Sequence, residues 1–289
     1  MNRRMWKEVK FQIHPLFWLL VCSAIWTGYF LEVLTLMVLV VIHELGHMSA
    51  AWSYGWRIHS MQLLPFGGVA KMEEWGTVSA QEEMIVALAG PFQHMWMIII
   101  SYLFYFTGFW SKGWTDYFIL CNFLIAGFNL LPIYPLDGGR VIQALLSYLM
   151  PYRLCIMITL WLGIICSTLL VIGSFILALD GVLLHLLFLS LFLVYSNVIA
   201  LKQKNIQYIR FLLRRRERGI SHSAKIQTLC VNERDPLWSV VKRWYKEHYH
   251  VLKVVDQKGR VIGFIPEEQI LEQYFDSARP NCKIKELIS

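Results

Sequence analysis

Charge is scarce in this chain of 289 residues: Asp, Glu, Lys and Arg together make up 16% of it, where a soluble domain carries about a quarter. With 56% hydrophobic residues beside that shortage, a disordered chain, a coiled coil and an ordinary cytosolic enzyme are excluded. CxxC pairs are also missing. Of Cys22, Cys121, Cys155, Cys166, Cys230 and Cys282, four lie inside apolar runs, which points to packed thiols and away from a disulfide framework or a cysteine metal cluster. The charge that is present is unevenly placed. Residues 1–201 hold 9 Lys and Arg against 10 Asp and Glu, while residues 202–289 hold 18 against 10, so the net +7 belongs to the tail.

Long apolar runs fill the first two hundred positions, each able to cross roughly 30 Å of hydrocarbon at about 1.5 Å per helical residue. The pattern predicts a polytopic α-helical membrane domain with six spans, at about 15–31, 33–54, 80–106, 115–133, 154–179 and 183–201. The stretch after Arg3, Arg4, Lys7 and Lys10 is too long for a signal peptide and is read as the first anchor. Cytoplasmic loops retain Lys and Arg. One side of this layout receives Arg3, Arg4, Lys7, Lys10, Arg57, Lys71, Arg140, Arg153 and the whole tail, and the other receives Lys112 alone. Both termini are therefore expected in the cytoplasm.

Between spans two and three, Ile58 to Met72 is apolar, too short to cross, and broken by Pro65, Gly67 and Gly68. It reads as a hairpin or re-entrant element resting on the bundle, because lipid leaves open backbone unsatisfied. Residues 202–221 read as a basic linker. Arg214, Arg215, Arg216 and Arg218 suit anionic lipid headgroups; with no stacking aromatics interleaved, direct nucleic-acid binding is not expected. From 222 to 289 the period changes to that of a small α/β module. Ile226–Val231, Val251–Val255 and Val261–Ile265 read as strands around the turn Asp256-Gln257-Lys258-Gly259. Asp235 and Pro236 open a helix reaching about Glu247, and another begins near Pro266.

The chemistry concentrates at Val41-Ile42-His43-Glu44-Leu45-Gly46-His47 in the second span. Histidines four apart on a helix lie about 40° apart around its axis, so both imidazoles reach one ion while Glu44 projects beside them. A zinc ion there lowers the pKa of its water to about 7, and a glutamate takes the proton as hydroxide attacks a carbonyl. Ionisable side chains within hydrocarbon are functional by default; the alternative is a pair of buried histidines satisfied by backbone carbonyls. Zinc sites in enzymes use three protein ligands. The third candidate is Asp137, within Asn129-Leu130-Leu131-Pro132-Ile133-Tyr134-Pro135-Leu136-Asp137-Gly138-Gly139, where two prolines unwind the end of span four. A turn or helix-cap aspartate is the alternative for that residue.

HExxH in a membrane helix, followed about ninety residues later by this Asn-x-x-Pro-x-x-Pro-Leu-Asp-Gly-Gly run, resembles the site-2 protease family of intramembrane zinc metalloproteases. The resemblance runs from about His14 to Arg140. It implies one Zn2+ per chain held by His43, His47 and Asp137, Glu44 as general base, and Asn129 with Pro135 beside the substrate. It also implies that Pro65-Phe66-Gly67-Gly68 forms a loop offering an edge strand to the substrate, with Gly67 and Gly68 in contact with it, and that Ala89-Gly90-Pro91 packs the third span. His94 stands where many relatives have asparagine, and no ligand role falls to it. The tail, with its run from His250 to Leu271, resembles a CBS domain. Such modules pair around an adenine nucleotide such as ATP, so a single copy implies a homo-oligomer. Six spans with one such module resemble the sporulation branch of the family. That implies a membrane-associated substrate, the precursor of sigma-K, inhibitory membrane partners, and a place in the membrane surrounding the forespore, facing the mother-cell cytosol.

One rival is a metal-ion transporter or channel regulated by the CBS-like tail. It has no use for a base beside the ion and would favour carboxylates along a path, where only Glu32 and Asp180 are additional and both lie at the opposite face. An HExxH peptidase with a glutamate ligand on a soluble domain lacks a loop to carry it, and a serine mechanism lacks its Gly-x-Ser-Gly element.

Overall fold

Apolar runs, and the residues that interrupt them, set the architecture. The computed structural model describes residues 10–13, 15–64, 67–178, 184–219, 225–276 and 282–287. Arg3, Arg4, Lys7, Pro65, Phe66, Asp180 and residues 222–224, which figure in the expectations above, lie outside them.

Strand β1 (Lys10–Ile13) leads into helix α1 (Pro15–Thr27), and after a turn at Gly28 comes α2 (Phe30–Ser53). The hairpin β2 (Ile58–Leu64) and β3 (Gly67–Met72) follows, then α3 (Ala80–Phe106), α4 (Lys112–Asn129), α5 (Asp137–Leu149), α6 (Tyr152–Ala178) and α7 (Leu184–Arg218). The start of α3 is capped by Ser79, which accepts from the Glu82 backbone at 3.2 Å and donates its hydroxyl to the Glu82 carboxylate at 3.0 Å. Ser111 caps α4 through Trp114 N. Helices α2, α3, α6 and α7 are long and apolar enough to cross a membrane, with no more than 39% of their apolar windows buried inside the protein. Their outer faces carry Ile99, Leu103, Trp161, Leu169 and Phe192, all more than half exposed, as helices facing lipid do. The remaining expected spans coincide with shorter helices, α1 of 13 residues and α4 of 18.

The hairpin expected over 58–72 is present. β1 joins it in parallel to make a sheet of order β1-β2-β3, which leaves β3 at an edge. Two elements differ from expectation. The stretch 134–149 holds α5, whose amphipathic run buries Gly138, Gly139, Gln143, Ala144 and Ser147. The basic stretch after 201 continues α7 to Arg218. Its Arg215 faces protein: it pairs with Glu267 and donates to the carbonyls of Tyr245, Lys246 and His248. Arg214 pairs with buried Glu74 at 3.4 Å. A headgroup role for these two gives way to tertiary pairing.

The tail consists of β4 (Lys225–Asn232), α8 (Leu237–Val241), β5 (His248–Val255), β6 (Val261–Pro266) and α9 (Glu267–Asp276), with a 3-10 turn at Ile284–Leu287. Its sheet has the order β4-β5-β6, parallel then antiparallel. The turn before β6 forms as expected: Gly259 has φ +78°, and Asp256 Oδ1 accepts from Lys258 N and Arg260 N at 2.8 Å. Helix α8 stops at Val241, short of Glu247, because the following residues dock on the membrane domain. Trp244 O accepts from Tyr152 N at 2.9 Å. Lys246 Nζ lies 2.6 Å from Glu83 Oε2, with both side chains buried. Glu247 Oε1 accepts from Ala80 N at 2.7 Å, satisfying one of the open donors at the start of α3. One hydrophobic core joins Tyr152, Ile156 and Phe211 of α6 and α7 to Val240, Trp244, Leu252 and Ile270 of the tail.

Candidate metal centre

Four turns into α2, the helix turns His43, Glu44 and His47 inward together, at 3%, 8% and 5% exposure. The spacing of four places the two imidazoles on one face, and their rings meet edge to face with centroids 4.8 Å apart. Asp137 arrives from the far end of the domain as the first residue of α5. The preceding chain is folded tightly: Ile133 N bonds Leu131 O and Leu136 N bonds Ile133 O, and Asn197 of α7 donates its amide to Tyr134 O.

These elements bring three donor atoms into a near-equilateral triangle. Asp137 Oδ2 lies 3.1 Å from His43 Nε2 and 3.2 Å from His47 Nε2, and the two nitrogens are 3.1 Å apart. A tetrahedral zinc with bonds of about 2.0–2.1 Å spaces its ligands by roughly 3.3 Å. The chemistry of the donors agrees with the distances. His47 Nδ1 lies 2.7 Å from Val86 O; a carbonyl only accepts, so Nδ1 carries the proton and Nε2 of the neutral ring is a bare lone pair. Facing a carboxylate oxygen at 3.2 Å, that lone pair calls for a cation between them. Among the described residues, this trio is the group of His, Cys, Asp or Glu placed to hold a metal ion.

Two glycines make room. A methyl group on Gly90 of α3 would stand 2.2 Å from His47 Nε2, so only glycine lets that helix pass the ring. One on Gly68 of β3 would stand 2.4 Å from Glu44 Cγ and 3.2 Å from its Oε1, which puts the edge strand directly over the Glu44 carboxylate. That carboxylate also interacts electrostatically with His47, His43, Asp137 and Arg140, and the Arg140 guanidinium stacks 3.8 Å over Trp75.

The expected residues are therefore not all gathered at one point. His43, Glu44, His47, Asp137 and Gly68 converge. Gly67 begins β3 opposite Leu64. Asn129 is half-buried at the end of α4 and donates to Ile125 O in its own helix, and half-buried Pro135 lies in the bend two residues before Asp137. Outside the expected set, His94 stands behind His43: His43 Nδ1 is 3.1 Å from His94 Nε2, and His94 Nδ1 is 2.8 Å from Asn122 Oδ1. Its position one turn after Gly90 on α3, on the face that packs against α2, is the signal that could have found it.

Comparison with known proteins bears on this geometry. Residues 31–113 match the profile of Peptidase family M50. Stage IV sporulation protein FB of Bacillus subtilis is 30% identical over 288 residues, covering 100% of this chain and 99% of that protein. A zinc metalloprotease of Methanocaldococcus jannaschii is 37% identical over 130 residues, 43% of this chain and 36% of that protein. Among solved structures, the site-2 protease from Methanocaldococcus jannaschii matches with a TM-score of 0.52 at 26% identity, over 70% of this chain and 94% of that one.

Proposed function

This chain belongs to peptidase family M50, the site-2 proteases, and is a zinc metalloprotease of the membrane; we propose that His43, His47 and Asp137 hold its single zinc and that Glu44 is its general base. The observation that carries this reading is the triangle of donor atoms with edges of 3.1–3.2 Å.

When bound, zinc polarises the scissile carbonyl and makes water a nucleophile near neutral pH. The side chains do the rest. Glu44 takes the proton from the attacking water and returns it to the departing amine, a role its place beside both histidines and Asp137 allows. A peptide helix presents no free carbonyl, so the substrate must unwind before it is cut. The free edge of β3 offers main-chain pairing to such an extended segment. Gly68 lets that segment come close to Glu44, Gly67 extends the same edge, and Asn129 and Pro135 would meet the substrate beside Asp137.

The two shorter helices, α1 and α4, complete a six-span layout with both termini in the cytoplasm, a reading supported by the Lys and Arg distribution. The tail is a single CBS-like module, supported by its strand and helix order, and its self-association would create a site for an adenine nucleotide such as ATP. The substrate is a membrane-associated pro-protein, the precursor of sigma-K, cut near the cytoplasmic face of the membrane around the forespore. Inhibitory membrane proteins hold the enzyme in check.

Co-expression with a pro-sigma-K substrate tests the reading. The intact chain should process it, and Glu44→Gln should not while keeping its zinc; processing by the Gln variant would remove Glu44 from its role. The tail assignment is tested with the full chain in detergent: ATP should alter its mass or its melting temperature, and indifference in both counts against a nucleotide site.

A further inference from the structure

Behind the metal-facing triangle lies a line of buried polar groups that crosses three helices and ends on a backbone carbonyl. Asn122 of α4 donates from Nδ2 to Phe118 O at 2.8 Å. That bond fixes the amide, leaving Oδ1 as an acceptor turned toward His94 Nδ1, 2.8 Å away. His94 Nδ1 must then carry the ring proton, and its Nε2 is bare. Nε2 lies 3.1 Å from His43 Nδ1, so the proton on His43 sits on Nδ1 and its Nε2 presents a lone pair toward Asp137 and His47. Each step follows from the last because every group is buried and takes its partner from the next side chain: Asn122 is 0% exposed, His94 2% and His43 3%. His47 reaches the same tautomer by a shorter route, through Val86 O. The two histidines on α2 are thus set to the same state by different partners, one a carbonyl and the other a relay of side chains.

We propose that His94 is a positioning residue that, with Asn122, locks the tautomer and ring orientation of His43 so that its Nε2 is free to bind zinc. The inference rests on the zinc reading of the centre. Partners of this kind are worth about 10–100-fold in metal affinity. Glutamine can reproduce the polarity of the His94 ring, accepting from His43 with its oxygen and donating to Asn122 with its nitrogen, whereas leucine can do neither.

The test is zinc affinity of the purified full-length protein in detergent, measured by competition with a chromophoric chelator, beside the melting temperature of the metal-free form. His94→Leu should weaken zinc binding by about 10–100-fold, with the metal-free melting temperature changed far less than the zinc-loaded one. His94→Gln should restore affinity close to that of the parent chain. Asn122→Leu, one helix further out, should weaken binding by a smaller factor, and it decides the matter if the His94→Leu protein does not fold. Unchanged affinity in the Leu variants, or a His94→Gln protein as weak as His94→Leu, overturns the proposal. A parent chain that holds no zinc overturns the reading of the centre itself, and so separates the two failures.

Discussion

Among the described residues, two clusters of buried ionisable side chains are completed in opposite ways. On the tail side, the buried charges among the described residues have protein counter-charges. Lys246 meets Glu83 at 2.6 Å, and Arg215 meets Glu267, which also accepts from His250 N. In α2 and α5, two imidazoles and a carboxylate converge with their acceptor atoms facing one another, and among the described residues no lysine or arginine reaches that triangle. Burying charge costs several kcal/mol unless it is paired. The first group is therefore a structural joint, and the second is a site suited to take its positive charge from a bound ion. The joint also bears on the site. Glu83 and Ala80, which the tail grips, open the same helix that carries Val86, Gly90 and His94 around His43 and His47.

The largest effect expected from breaking this contrast is at Glu44, which neither holds the ion nor pairs with a lysine. Glu44→Gln should lower cleavage by at least about 10²–10⁴-fold, the usual worth of a general base, with zinc content unchanged by metal analysis. Asp137→Asn should lower zinc occupancy and cleavage together, the affinity by more than the roughly 10–100-fold that an outer partner is worth. Gly68→Ala pushes on the Glu44 side chain, and a misplacement of about an ångström costs on the order of 10²-fold in rate; zinc content should not move. At the joint the readout changes from chemistry to stability. Lys246→Met leaves Glu83 buried and uncompensated, which should destabilise the docked tail by about 3–5 kcal/mol, seen as a lower melting temperature and faster proteolysis after Arg218. The Glu83→Gln, Lys246→Met double variant should recover much of that loss.

The smallest effect is on pH. Burial holds the His250 imidazole below its ordinary value of 6.5. Burial pushes the Glu267 carboxyl up, but the hydrogen bond from His250 and the Arg215 guanidinium outweigh it and hold the group below 4.5. A lowered histidine stabilises the fold above pH 6.5 and less as the pH falls below it, because the unfolded chain then takes up a proton that the folded chain refuses. A lowered carboxyl adds stability above 4.5 that is lost as the pH drops through its folded value. Both act in the same direction but in successive windows: the melting temperature of the tail should hold from pH 7.5 to about 6.5, fall below 6.5 as the unfolded chain takes up the His250 proton, and fall further below 4.5 as Glu267 is protonated. A melting temperature that rises in acid would contradict this pairing.

Much of the site was legible in the linear chain, and the reason is local. A spacing of four puts His43 and His47 on one helix face wherever α2 lies, and the Pro-Leu-Asp-Gly-Gly run marks a sharp change of direction at Asp137. The family resemblance rested on the same two motifs, of which the first lies within the profile match over residues 31–113. Helix α5 was not legible because its polar start follows a proline-rich bend that reads as loop, and the true extent of α7 was hidden by a basic run whose partners, Glu74 for Arg214 and Glu267 for Arg215, lie far away along the chain. The early end of α8 belongs to the same cause: Trp244, Lys246 and Glu247 have helical spacing but better partners in Tyr152, Glu83 and Ala80. The link from His43 through His94 to Asn122 crosses from α2 to α3 to α4; the spacing of Gly90 and His94 marks one face of α3, but not that this face meets His43 on one side and Asn122 on the other.

The most direct test of the account is zinc K-edge X-ray absorption on the purified full-length protein. The expected spectrum is that of one zinc per chain with a light-atom shell, nitrogen and oxygen only, containing two imidazoles and no sulfur, and it should lose its imidazole signature when His43 and His47 are replaced. A sulfur ligand, a shell that survives the loss of both histidines, or the absence of zinc would contradict it.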